Sequence, residues 1–248
     1  MKAIITDLDR TLLTTEKKIS PCTLNVLKKC REKGILLMAA SARPVRNILP
    51  FHDLISFDAF TASNGAVIML PDRKMERGID LASGEEILAR LMQFPDVFLS
   101  VETSKGLYSN RDIPIWQPTV YDCFPTLPEG VVLYKILASS ENRRLYQGVE
   151  SVLNDEVYHT IAGENLIQIM SRKATKWLGV QHMLDYFGVS PDEAAYFGDD
   201  NDDVAPLARC GMGVAVENAI PAALQAAKYV TDSNDRDGVA RFIEKHIL

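Results

Sequence analysis

Two aspartates one residue apart, Asp7 and Asp9, close the stretch Lys2-Ala3-Ile4-Ile5-Thr6, apolar at its centre. Such a run reads as a strand buried on both faces of a parallel sheet. Side chains alternate along a strand, so carboxylates at this spacing leave its C-terminal end on the same side. That edge of an open parallel sheet is where α/β folds bind ligands. Two anions aimed together repel each other and any anionic substrate, so the pair asks for a cation. A second acidic cluster, Gly198-Asp199-Asp200-Asn201-Asp202-Asp203, follows the apolar run 194–197. With both runs in one parallel sheet, Asp199 and Asp203 converge on Asp7 and Asp9. Ser41, after a further apolar run, lands on the same edge, and Lys176 at the head of a helix can supply a cation there. This set suits a hard divalent cation such as Mg²⁺, which takes oxygen ligands and substrate phosphates. Asp200 reads as an acid favouring a helix N-terminus.

The elements that must position these residues follow from local signals. Ser20-Pro21 reads as an N-cap with proline at the first helical position, and the helix runs to about Lys33 before Gly34. Strands follow at 35–40 and 58–63, and Asn64-Gly65 before Ala66-Val67-Ile68-Met69 signals a hairpin. This rhythm implies a doubly wound, Rossmann-like parallel sheet with right-handed crossovers. From about residue 80 the pattern changes. Ser83-Gly84-Glu85-Glu86 reads as a capping box opening a helix to about Phe94. Strands at 97–103, 107–109 and 131–138, a helix from about Glu141 and strands near Val157 and Leu166 then predict an α+β insert. From Lys176 the α/β rhythm returns. The expected organisation is a discontinuous α/β core, 1–79 with 169–248, carrying an inserted α+β cap over 80–168.

Composition narrows the function classes. The 248 residues are 47% apolar and 24% charged, an ordinary globular balance. A net charge of −6 argues against nucleic acid or an anionic membrane as a bulk partner, though not against a small phosphorylated metabolite in one cleft. Cys22, Cys30, Cys123 and Cys210 have no ligand-like spacing and read as reduced thiols. With no membrane-length apolar stretch and no signal-peptide pattern, the expectation is a cytoplasmic protein. Nothing in the sequence speaks to oligomeric state. His52, His159, His182 and His246 stand near no motif. Trp116, Tyr108, Arg111 and Lys135 lie in the insert, where they could face a substrate. Gly211-Met212-Gly213 lacks the third glycine of a dinucleotide fingerprint, and a strand follows it.

In motif content the chain resembles the haloacid dehalogenase-like hydrolases, specifically Cof-type phosphatases with a large α/β cap. Asp7-Leu8-Asp9-Arg10-Thr11 is similar to the family's DxDx[TV] signature, Ser41-Ala42-Arg43-Pro44 to its second motif, Lys176 to its third and 198–203 to its fourth. Ser63-Asn64-Gly65-Ala66, the stretch 213–219 and the stretch 231–239 add supporting matches. Four motifs in order are far more specific than one DxD. The resemblance implies a Mg²⁺-dependent phosphatase of a small phosphomonoester, such as a sugar phosphate. Asp7 is then the nucleophile that becomes an aspartyl phosphate, and Asp9 the general acid and base. Mg²⁺ is held by Asp7, the backbone carbonyl of Asp9 and Asp199, with Asp203 in support. The phosphate is held by Ser41, Lys176, the amides of Leu8 and Ala42 and, from position 202, the side chain of Asp202.

Several positions depart from the family pattern. Arg10 and Ala42 replace frequent glycines, Arg10 reading as a solvated side chain. Asp202 replaces the usual asparagine and repels phosphate unless protonated, screened or turned away. The stretch 172–175 lacks the common glycine. Rival readings are a phosphomutase sharing the aspartyl-phosphate step and a non-hydrolysing sensor of a phosphorylated ligand. A receiver-type signalling switch fits poorly: its chain would be about half as long, and no aspartate precedes Asn64 at the third strand's end.

Overall fold

A computed structural model describes residues 1–114, 116–162 and 165–248. They form two compact units, one of Met1–Met75 with Thr175–Leu248 and one of Glu76–Ala174. In chain order the elements begin with β1 (Ala3–Thr6), α1 (Pro21–Glu32), β2 (Leu36–Ala40), α2 (Leu49–Ile55), β3 (Ala59–Ala62), β4 (Val67–Met69) and β5 (Lys74–Glu76). Then follow α3 (Leu81–Leu91), β6 (Phe98–Thr103), β7 (Gly106–Ser109), β8 (Thr119–Val120), β9 (Leu133–Ser139), α4 (Arg144–Gly148), β10 (Val157–Ala162) and β11 (Leu166–Ser171). The chain closes with α5 (Lys176–Phe187), β12 (Ala194–Gly198), α6 (Val204–Arg209), β13 (Met212–Val216), α7 (Pro221–Ala226), β14 (Tyr229–Thr231) and α8 (Gly238–His246).

The first unit is built on a sheet of order β14-β13-β12-β1-β2-β3-β4-β5. Its six strands from β14 to β3 run parallel, and β4 returns antiparallel to β3. Every residue of β1 is buried, as suits its Ala-Ile-Ile centre between two neighbouring strands. Ser20 caps α1 by accepting a hydrogen bond from the Thr23 amide at 3.0 Å, and Pro21 takes the first helical position. Beyond the helix, Gly34 adopts a φ of +74°, a left-handed turn that glycine enters without strain. The 63–65 turn joins β3 to β4 as the Asn-Gly signal indicates.

The second unit is a six-stranded sheet of order β10-β11-β9-β6-β7-β8, antiparallel except where β7 meets β8. One face carries Leu99, Val101, Ile136, Ala138, Ile167 and Ile169 into an apolar core with Leu88 and Leu91 of α3 and Leu145 of α4. The α3 start corrects the sequence reading. Asp80 is the N-cap, accepting from the Ser83 amide at 3.1 Å, so the helix begins two residues before Ser83. Ser83 is spaced as a capping box with Glu86, but Asp80 is an equally good cap and starts the helix one turn earlier, which places Ser83 inside it. The short strands β5 and β8 went unread, and α4 starts at Arg144 rather than near Glu141. Among the described residues no helix is long and apolar enough to cross a membrane.

Candidate active site

The buried charges of the first unit meet at the C-terminal ends of β1 and β12. Asp7 extends β1 by one rung, its amide donating to the Phe197 carbonyl at 2.9 Å. Asp199 leaves β12 alongside it, and Asp203 follows one short turn later. Carboxylate oxygens of Asp7, Asp199 and Asp203 lie within 4.8 Å of one another, and all three residues are buried. Lys176 opens α5, whose N-cap Thr175 accepts from the Leu178 amide at 3.2 Å. Its Nζ lies 3.3 Å from Asp7 Oδ1 and 2.6 Å from Asp203 Oδ1. The Asn64-Gly65 turn helps set that helix: a Cβ at Gly65, whose φ is +102°, would meet the Thr175 carbonyl oxygen at 2.2 Å. The turn therefore does more than reverse the chain.

Asp203 is committed to the protein. Its Oδ1 accepts from Lys176 and from the Tyr196 hydroxyl, both at 2.6 Å, and its Oδ2 accepts from the amides of Asp199 and Asp200 at 3.0 Å. A carboxylate offers about four acceptor positions, so little remains for an outside ligand. Gly198 makes the fit possible, because a Cβ there would lie 2.5 Å from the Asp203 Cβ. Asp200 is the N-cap of this turn, as read from sequence. Asp7 and Asp199 are the less occupied pair. Thr11 Oγ1 donates to Asp199 Oδ1 at 2.8 Å, and the Leu8 amide hydrogen-bonds to the Asp7 carboxylate.

The electrostatics reflect three acids set against one base. Burial holds Asp7 well above the usual carboxylate range, with Asp203 and Asp199 adding to the effect and Lys176 opposing it. Burial likewise pushes Asp199 up to about 6, against the Thr11 hydrogen bond. For Lys176, burial works against the charged form, but Asp203, Asp7 and Asp202 outweigh it and raise its ammonium above the ordinary value. Burial, then Asp203, pushes the Tyr196 phenol up. Buried oxygen donors with surplus negative charge fit a hard divalent cation such as Mg²⁺.

Asp9 is not one of these three clustered acids and has a partner of its own. Its side chain is 41% exposed and pairs with Arg43, whose Nε donates to Oδ2 at 2.5 Å and Nη2 to Oδ1 at 2.6 Å. The strand ends at Thr6, and Asp9, though its backbone is extended at φ −70° and ψ 130°, lies outside it, just before the bend of the chain. Arg10 turns the chain at φ +58°. Though 60% exposed, it is not simply solvated: its guanidinium donates to the Asn218 carbonyl at 3.1 Å and stands 3.8 Å from Asp199, while the Asn218 side chain donates back to the Arg10 carbonyl at 2.8 Å. Asp202 accepts a hydrogen bond from the Asn64 side-chain amide, itself fully buried. Ser41 is buried, its hydroxyl accepting from the Arg43 amide at 3.2 Å. Leu8 is buried and Ala42 is exposed in the loop after β2.

Sequence reasoning missed Arg43, Thr11, Tyr196 and Asn64 as site residues. Arg43, Thr11 and Asn64 stood inside quoted motifs without a side-chain role. Tyr196 gave a signal of its own, a phenol inside a strand otherwise made of small and apolar residues.

A family model described as haloacid dehalogenase-like hydrolase matches residues 4–243. A protein of Haemophilus influenzae that carries a phosphatase name is 28% identical over 257 residues, covering 98% of this chain and 97% of that one. A Bacillus subtilis protein named 5-amino-6-(5-phospho-D-ribitylamino)uracil phosphatase is 26% identical over 260 residues, covering 98% and 96%. Among solved structures, a haloacid dehalogenase-like hydrolase from B. subtilis superposes with a TM-score of 0.87 at 24% identity, covering 100% of both chains. That likeness bears on the fold, an α/β core with a cap.

Proposed function

Because the chain belongs to the haloacid dehalogenase-like hydrolases, we propose that it is a Mg²⁺-dependent phosphatase of small phosphomonoesters that works through an aspartyl phosphate on Asp7. The observation that carries this reading is the setting of Asp7. Its carboxylate is buried at a strand end, 3.3 Å from Lys176 Nζ and within 4.8 Å of the Asp199 carboxylate.

An Asp7 oxygen attacks phosphorus, the P–O bond to the leaving group breaks, and Asp9 supplies the proton to the departing oxygen. Water then attacks the aspartyl phosphate, giving its proton to Asp9 and releasing phosphate and the free Asp7 carboxylate. Splitting the reaction in two is ordinary nucleophilic catalysis. Lys176, the Ser41 hydroxyl and the amides of Leu8 and Ala42 hold the phosphate oxygens. Asp203 anchors Lys176, and Asn64 draws the Asp202 carboxylate to itself. Asp7, Asp199 and the Asp9 carbonyl would hold Mg²⁺, which supplies charge neutralisation and orients the phosphoryl group.

The substrate is a small phosphorylated metabolite. The name of the B. subtilis relative puts ribityl phosphates first in a substrate panel. The scattered spacing of the four cysteines supports a cytoplasmic setting. The test is phosphate release from an aryl phosphate with Mg²⁺, with EDTA, and with Asp7→Asn. Turnover that needs the metal and is lost in Asp7→Asn is expected. Turnover that survives the substitution would exclude Asp7 as nucleophile.

A further inference from the structure

Arg43 is held by several contacts at the edge of the site, and no step above uses it. Its backbone is fixed on both sides: the amide donates to Ser41 Oγ at 3.2 Å, and the carbonyl accepts from the Ser63 amide at 2.8 Å. Its guanidinium lies over the Phe51 ring, 5.1 Å from the centroid, and Nη1 donates to the Asn47 carbonyl at 3.3 Å. Only 17% of the side chain is exposed. From this anchor Nε and Nη2 take one Asp9 oxygen each, at 2.5 and 2.6 Å. The two-pronged geometry fixes the plane of the carboxylate as well as its distance. Asp9, by contrast, is 41% exposed and sits on the turn that Arg10 bends at φ +58°. The pair therefore joins a cation held by several contacts to a more exposed acid.

We propose that Arg43 is the positioning residue for Asp9, setting the direction from which its carboxylate meets the leaving oxygen and yielding one of its two hydrogen bonds when that oxygen arrives. The proposal rests on the phosphatase reading, because it concerns the step in which Asp9 transfers a proton. An acid that must be aimed matters most where the leaving group is poor. An alkoxide needs a proton as it departs, while a nitrophenolate hardly does.

The test compares wild type, Arg43→Ala, Asp9→Asn and the double variant on an alkyl phosphate and on 4-nitrophenyl phosphate, with thermal melts to verify folding. Arg43→Ala should lower kcat on the alkyl ester by about a hundredfold, while the first turnover on the nitrophenyl ester falls by less than about tenfold. Added guanidinium ion should restore part of the alkyl activity. In the double variant the losses should not multiply, since both substitutions disable one unit. Equal loss on both esters, or losses that multiply, would overturn the proposal. Should Arg43→Ala fail to fold, Arg43→Lys keeps the charge without the two-pronged contact and should show the same dependence on leaving group. If Asp9→Asn itself shows no such dependence, the phosphatase mechanism falls and this proposal with it. If Asp9→Asn shows it and the Arg43 variants do not, the positioning role alone falls.

Discussion

The first unit gathers Asp7, Asp199, Asp203 and Lys176, all nearly inaccessible to solvent, at the strand ends of a parallel sheet. The second unit buries Glu102 and Lys135 within strands, opposite each other on β6 and β9, with Lys135 Nζ donating to Gln168 at 2.7 Å. At a strand end the side chains of several strands and the amides of the following turn can aim at one point. Within a strand, a side chain meets its cross-strand neighbours. In the first unit this brings three acids to one base and leaves surplus negative charge. In the second, the cross-strand partners are one acid and one base. Surplus buried charge is an arrangement that functional sites favour, and a matched pair is one that packing accommodates.

The largest effect that sharpens this contrast is on turnover. Asp7→Asn should reduce phosphate release by on the order of 10⁴-fold or more. Thermal melts without metal should show no loss of stability, because the substitution removes a buried charge that its surroundings disfavour. The second unit should answer the opposite way. Leu145→Ala, at a fully buried position, should lower stability by about 2–5 kcal/mol in denaturant unfolding. Protein that remains folded should still phosphorylate Asp7. A smaller effect is expected at Asp202. Removing a carboxylate next to the phosphate site through Asp202→Asn should lower KM by about tenfold, or about 1.4 kcal/mol. A rise in KM would mean that the Asn64–Asp202 contact shapes the loop more than the charge repels.

The smallest effect is in pH dependence. Asp199 titrates near 6 in the metal-free fold, above the unfolded value of about 3.9. Its contribution to stability is therefore complete below the unfolded value and lost as pH rises through about 6. Metal binding requires the ionised form, so the rise in melting temperature caused by Mg²⁺ should grow across that interval. A rise independent of pH would show that Asp199 is not a ligand.

Much of this was legible because the signals are local or follow from parallel topology. Ser20, Pro21 and Gly34 delimit α1 by themselves. Asp7, Asp199, Asp203 and Lys176 come together because strand ends of one parallel sheet share an edge. The rest depends on turns whose dihedrals no periodicity encodes. Asp9 lies beyond the end of β1, just before the bend at Arg10, and no periodicity points to Arg43, 34 positions on, as its partner. Asn64 reaches Asp202 across 138 positions of sequence, where neither residue carries a sign of the other.

The central claim is that Asp7 carries the phosphoryl group. Its most direct test is acid quenching during turnover of an aryl phosphate with Mg²⁺, followed by digestion and mass spectrometry of the N-terminal peptide. The expected result is one added phosphoryl group on Asp7, labile to hydroxylamine and absent from Asp7→Asn. Sustained turnover with no phosphorylated peptide, or with the group on another residue, would contradict the account.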